Sequence, residues 1–297
     1  MQEEQQFTVA IVQQSCTADK SENLYKACAA IREAKAASAQ IVCLQELFST
    51  IYPCQEQRID LFDLAEDKNG PTLKCMRELA AELELTLVVP FFEVALEGLF
   101  YNSAAVLGSS GEILGIYRKM HLPQDPHFCE KYYFSPGIGD CSLCIFDTPV
   151  AKFAVMICWD QWFPEAARAV ALMGAELIFY PTAIGLLDGE SGKVGEDIKS
   201  AWKTVQRSHA IANGLYVASA NRVGHEGAGE ASGVNFFGKS FVCDPFGRMV
   251  EEANGSSEQL LLHKCDRNII RTTRREWPFL RDRRIDAYRP ITDKILK

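Results

Sequence analysis

Short apolar runs of strand length recur along the whole chain, at residues 8–12, 41–44, 86–89, 103–107, 113–117, 153–157, 177–180, 216–220, 240–243 and 259–263. Stretches rich in Ala and long charged residues separate several of them, at 23–37, 72–84, 166–173 and 197–213, and these read as helices. Asn213-Gly214 supplies a helix stop, and "GSSGEI" and "CDPFGRMV" each place Gly where a hairpin needs a tight turn. Continuous apolar strands alternating with helices require sheets covered on both faces. No Gly/Ser-rich or Pro-rich linker divides the chain and no short repeat is visible, so residues 1–297 read as one α/β domain with mixed sheets.

Composition narrows the function. Hydrophobic residues are 47% and charged residues 24%, which supports a large core. The formal net charge of −8 argues against nucleic acid as the main partner. No apolar run is long enough to span a bilayer, and "MQEEQQFTVAIVQQ" lacks the basic start and apolar stretch of a signal peptide. A cytoplasmic protein is expected. The 11 cysteines are then unlinked, with Cys28 and Cys43 read as core filler. Cys141 and Cys144 form a CxxC, but no second pair or paired histidines support a metal or redox site there. The basic stretch "RTTRREWPFLRDRR" reads either as a docking tail or as a solvated face.

"FAVMICWDQWFPE" brings chemistry into this frame. An apolar strand ends at Cys158, and Pro164 suits the first turn of the following helix. A cysteine at such a strand-to-helix corner is presented to a cleft, whereas an ordinary cysteine is a small buried hydrophobe. Glu46 follows the strand of "IVCLQELFS", and Lys119 follows another in "GIYRKMHLP". Either charge alone could merely be surfacing into solvent. As a set they are chemically coherent, because strand ends gathered at one sheet edge build sites. An unperturbed thiol near pKa 8.5 is only a few per cent thiolate at neutral pH. A carboxylate can take its proton, and an ammonium can stabilise the thiolate and a developing oxyanion. Glu, Lys and Cys thus suffice for acyl transfer without histidine.

Glu46 in "LQELF", Lys119 in "YRKMHLP" and Cys158 in "ICWDQWFPE" resemble the Glu-Lys-Cys triad of the nitrilase superfamily of carbon–nitrogen hydrolases. The similarity runs from "VAIVQ" to "DRRIDAY", and "YPTAIG", "ASANRVG" and "DPFG" match further landmarks. Glu130 in "FCEKYYFSPG" matches a second glutamate, which in the family positions the lysine or assists proton transfer. The resemblance implies a four-layer α-β-β-α sandwich with two mixed sheets, no cofactor and no metal. It also implies a homo-oligomer, a dimer or higher, in which the C-terminal tail from about 268 to 297 docks on a neighbouring subunit.

Within the superfamily, "CWDQWFPEAARA" and "KMHLPQDPHFCEKYYFSPG" most resemble the N-carbamoylputrescine amidases. That implies a small ureido substrate, cleaved to putrescine, carbon dioxide and ammonia. Another N-carbamoyl amine or amino acid, or a small amide, is the alternative. Enzymes that accept a carboxylate-tailed substrate need a cation, and D-carbamoylases carry arginines soon after the nucleophile. This chain has Asp160, Gln161 and Trp162 there. Leu186 and Leu187 stand where many of these amidases have a serine and an acidic residue, so Asp188 or Glu190 is expected to meet the distal amine. The same comparison puts Tyr52 on the pocket wall or in packing, the Trp159 N–H at the oxyanion, and His121 in a structural hydrogen bond. A non-catalytic scaffold of the same fold is the competing class, and it would have no need of all three triad residues. A Cys-His peptidase lacks a histidine placed as its base.

Overall fold

The computed structural model describes residues 5–139, 142–227 and 233–295. The chain begins with β1 (Gln6–Gln13), α1 (Lys20–Ala36), β2 (Ile41–Cys43), α2 (Pro71–Leu83), β3 (Thr86–Leu96), β4 (Leu99–Leu107), β5 (Ile113–Arg118) and a short α3 (Glu130–Tyr133). The second half runs β6 (Phe146–Asp147), β7 (Lys152–Val155), α4 (Pro164–Leu172), β8 (Leu177–Thr182), β9 (Gly185–Leu187), α5 (Gly192–Asn213), β10 (Tyr216–Asn221), β11 (Val223–Gly227) and β12 (Gly233–Phe237). It closes with β13 (Phe241–Cys243), β14 (Met249–Glu252), β15 (Gln259–Asp266) and α6 (Arg267–Glu276).

One sheet has the order β15-β1-β2-β3-β4-β5 and the other β14-β13-β10-β8-β7-β6. In each, three central strands are parallel: β1, β2 and β3 in the first, β7, β8 and β10 in the second. Helical crossovers separate these strands, as parallel neighbours require. The outer strands are antiparallel additions joined partly by the two expected hairpins, where Gly111 and Gly247 hold φ of +80° and +73°. Side-chain alternation then sorts the layers. Val9 and Ile11 of β1 point between the sheets, onto a core with Val88, Phe153, Val155 and Phe179. Ala10 and Val12 point outward, where Ala27 and Ile31 of α1 and Leu73 and Met76 of α2 cover them. Ala167 and Val170 of α4 and Trp202 and Ala210 of α5 join the core around the second sheet. The result is the expected α-β-β-α sandwich with two mixed sheets.

A third, three-stranded sheet, β11-β12-β9, was not anticipated. Its strands are short and interrupted by Gly, so no apolar run announces them. The strand expected over 153–157 ends at Val155, although the Met156 N–H still donates to the Phe179 carbonyl. Cys43 is fully buried as expected, whereas Cys28 is only partly buried and lies 3.7 Å from Cys75 Sγ. Cys141 of the CxxC lies outside the described residues. Among the described residues, no helix is long and apolar enough to cross a membrane.

Candidate active site

Three of the four candidate catalytic residues follow strand ends. Glu46 follows β2 and Lys119 immediately follows β5, both in the first sheet; Cys158 follows β7 in the second, and Glu130 opens α3. The fold brings the acids and the base into contact. Lys119 Nζ donates to Glu46 Oε1 at 2.8 Å and to both carboxylate oxygens of Glu130 at 2.7 Å. Asn102 Nδ2 donates to the same Glu46 oxygen at 2.6 Å, and Tyr52 OH donates to Glu130 Oε1 at 2.8 Å. Glu46, Lys119 and Glu130 are each 0% exposed. Burial of this kind is tolerable only when every charge has a partner. Glu46 Oε2 has no hydrogen-bond partner among the described residues, nor does Asn102 Oδ1 beside it, and the carboxylate oxygen is thus free to accept a proton.

The electrostatics of the cluster tie in Cys158. Burial raises its pKa well above the usual thiol range and Glu46 reinforces the rise; Lys119 and a hydrogen bond from the Ala183 backbone oppose it. The resting thiol is therefore protonated. Burial would lower the Lys119 pKa, but Glu130 and Glu46 outweigh it and hold the ammonium charged. Burial pushes Glu130 up to about 7, with Lys119 pulling down and Glu46 pushing up.

The corner at Cys158 is tighter than the sequence suggests. Cys158 has φ +42°, an unfavourable region for a residue with a Cβ, and it begins a 3-10 helix over Cys158–Trp162 before α4 starts at Pro164. Asp160 braces that turn. Its Oδ2 accepts the Ile157 N–H at 2.8 Å and Tyr117 OH at 2.6 Å, while Oδ1 accepts the His121 N–H at 3.0 Å and lies 2.7 Å from His121 Nδ1. Trp159 occupies the second position of the 3-10 helix, where its N–H has no preceding turn to bond. Cys158 itself is only 6% exposed, so it is more enclosed than a side chain open to a cleft.

Several expectations change. Asp160 is 0% exposed and its oxygens are occupied, so it cannot offer a charge to a substrate tail. His121 has the expected structural role: it is bonded to Asp160 and stacked on Phe163 at 3.7 Å. Tyr52 is buried, and its hydroxyl serves Glu130. The same residue borders a cleft of about 350 Å³ that also includes Gln55, Glu56 and Arg58. Glu190 folds back to accept the Leu187 N–H at 2.8 Å, which commits it to its own turn, and Asp188 is exposed beside it. Trp159 borders another cleft, of about 580 Å³, with His121, Phe134, Phe163 and the cation Lys131. The basic tail is not wholly free either. Arg274, within the basic stretch, donates to the carbonyls of Ala175 and Asn213. Asn102, the Asp160 brace and the buried Arg222 had not been singled out for these roles. The motifs "ICWDQWFPE" and "ASANRVG" contain Asp160 and Arg222, and no motif contained Asn102.

A buried thiol, a carboxylate oxygen without a partner and a doubly paired ammonium lie at the ends of two sandwiched sheets, the architecture of the nitrilase fold. The carbon-nitrogen hydrolase family model matches residues 8–275, and the chain belongs to that family, hydrolases that act on carbon–nitrogen bonds. It is 43% identical to an N-carbamoylputrescine amidase of Arabidopsis thaliana, over 96% of this chain and 95% of the relative. It is 39% identical to a citrullinase of Francisella tularensis, over 96% of this chain and 98% of the relative. The crystal structure of a carbon-nitrogen hydrolase from Helicobacter pylori superposes with a TM-score of 0.93 at 39% identity, covering 98% of this chain and 100% of that one.

Proposed function

We propose that this hydrolase uses Cys158 to cleave an N-carbamoyl amine, with N-carbamoylputrescine as the substrate and putrescine, carbon dioxide and ammonia as products. The observation that carries the chemistry is Lys119 held between Glu46 and Glu130, with one Glu46 oxygen left free. Glu46 takes the thiol proton as sulfur attacks the ureido carbon. Lys119 and the Trp159 N–H stabilise the tetrahedral oxyanion. Glu46 then returns the proton to the first departing nitrogen. In the second half it takes a proton from water as that water attacks the S-carbamoyl intermediate and returns it to sulfur, and the carbamic acid released breaks down to carbon dioxide and the second amine. Glu130, steadied by Tyr52, fixes the ammonium.

The substrate assignment is supported by the 43% identity to an N-carbamoylputrescine amidase. A second reading, a ureido amino acid whose carboxylate meets Lys131, is favoured by that cation in the Trp159 cleft and by the citrullinase relative. In both readings the protein works as a homo-oligomer without cofactor, and the segment after α6, with Phe279 and Ile291 exposed, meets a neighbouring subunit. Ammonia release measured across N-carbamoylputrescine, citrulline, N-carbamoyl-β-alanine, simple amides and nitriles tests the proposal. Turnover of nitriles or amides alone would reject the ureido assignment.

A further inference from the structure

We propose that Arg222 and Glu226 are positioning residues for the hydrolysis, acting through the backbone that carries Glu46 and Tyr52. This rests on the reading of Glu46 as the general base. Arg222 lies just beyond β10 and is 0% exposed. Its Nη2 donates to the carbonyls of Glu46 at 3.0 Å and Leu47 at 2.8 Å, and its Nη1 donates to the Thr50 carbonyl at 3.0 Å. The same Nη1 bonds Glu226 Oε1 at 2.6 Å. The other oxygen of Glu226 accepts the Tyr52 N–H at 2.7 Å. One buried ion pair therefore holds both ends of the segment from Glu46 to Tyr52.

That segment has no helix or strand to satisfy its backbone. It consists of turns, and Leu47 sits at φ +49°. Buried carbonyls without partners are costly, and three carbonyls converge here on one guanidinium, that of Leu47 also accepting the Thr50 N–H at 3.2 Å. A planar fork with five donors can serve them together; a lysine ammonium cannot reproduce that geometry. The clamp also reaches both carboxylates bound to Lys119. Glu46 is held directly through its own carbonyl, and Glu130 is held through the hydroxyl of Tyr52. Neither Arg222 nor Glu226 bonds Lys119 or Cys158. Their effect passes through the placement of Glu46 and Tyr52, and for Arg222 also through the field of its buried charge at Glu46.

Arg222→Lys and Glu226→Gln test the assignment, with Glu46→Gln as the control for the base. Circular dichroism and urea midpoints first establish the folded fraction of each variant. Per folded molecule, kcat for ammonia release is expected to fall on the order of 10–100-fold, as for a misplaced catalytic group, with KM within about twofold. Added guanidinium at low concentration is expected to restore part of the kcat of Arg222→Ala and none of that of Glu46→Gln. If folded Arg222→Lys and Glu226→Gln keep wild-type kcat while Glu46→Gln is inactive, the clamp is only structural and the proposal falls. If Arg222→Lys does not fold, wild-type kcat in Glu226→Gln alone overturns it. Full activity in Glu46→Gln would instead reject the underlying reading of the base.

Discussion

Lys119 Nζ lies 2.8 Å from Glu46 Oε1, and both side chains are fully excluded from solvent. With Glu130 on its other side, the ammonium is the only charged group among the described residues in direct contact with this pair of carboxylates. Lys119→Met should therefore fail twice over. Two buried carboxylates lose their partner, which is expected to lower the unfolding free energy by about 3–5 kcal/mol. Ammonia release should fall by at least roughly 10²-fold, the usual loss for one oxyanion donor. Urea titration and steady-state assay of the same preparation separate the two effects. A stable Lys119→Met with wild-type kcat would remove the lysine from the chemistry.

Cys158 gives the cleaner dissection. Its sulfur is nearly enclosed but is a single heavy atom, so Cys158→Ala should cost only about 1 kcal/mol, as for other small truncations. Activity should vanish while the far-UV spectrum and oligomeric state stay unchanged. Because burial and Glu46 hold the thiol protonated, iodoacetamide should label Cys158 slowly at neutral pH and faster as pH rises through the alkaline range. Rapid labelling already complete at pH 6 would contradict a protonated resting thiol.

Glu46, Lys119 and Cys158 were legible in the sequence because each follows an apolar run of strand length; β2 and β7 are largely buried, whereas β5 is an edge strand that buries only Tyr117. Chemistry at a strand end is visible once the strand is. The supporting groups were not. Asp160 reads as an exposed acid beside a nucleophile, yet it folds inward to hold four neighbouring polar groups. Arg222 sits in a polar stretch whose partners are about 170 positions away, at 172 and 176 residues' separation. Such long-range pairing leaves no periodic trace. The little sheet β11-β12-β9 was hidden for a related reason: Gly-interrupted strands lack the alternation that reports a buried face.

Glu130 should leave a signature in stability. Burial raises its pKa to about 7 in the folded chain, above the ordinary carboxylate value near 4.5. The folded state thus binds the proton more tightly than the unfolded chain. Its contribution is fully present below about pH 4.5 and is lost as pH rises through about 7. Glu130→Gln cannot titrate. The stability of the unmodified protein relative to Glu130→Gln should therefore fall between pH 4.5 and 7.5, read from urea midpoints of both proteins. A difference that is flat or grows with pH would show that the Lys119 contact keeps Glu130 ionised throughout.

The substrate tail is where charge must decide. N-carbamoylputrescine ends in an ammonium near neutral pH, N-carbamoyl-β-alanine in a carboxylate, and citrulline in both. Of the acids considered, Asp160 is internally committed and Glu190 caps its own turn, which leaves exposed Asp188 and, in the Tyr52 cleft, Glu56. Exposed ion pairs are worth only about 0–1 kcal/mol, so an amine preference resting on Asp188 should be nearer tenfold than a thousandfold. Asp188→Asn and Glu56→Gln, assayed separately, should show which acid carries it, chiefly through a higher KM for the amine-tailed compound. Glu190→Gln should change the preference less than Asp188→Asn, because one of its oxygens is held by the Leu187 N–H. Lys131→Met removes the cation of the Trp159 cleft. It should improve kcat/KM for the amine-tailed substrate if that cleft receives the tail, by relieving repulsion. If the unmodified enzyme turns over citrulline or N-carbamoyl-β-alanine faster than N-carbamoylputrescine, and Lys131→Met abolishes that advantage, the amine reading is wrong and Lys131 holds the carboxylate.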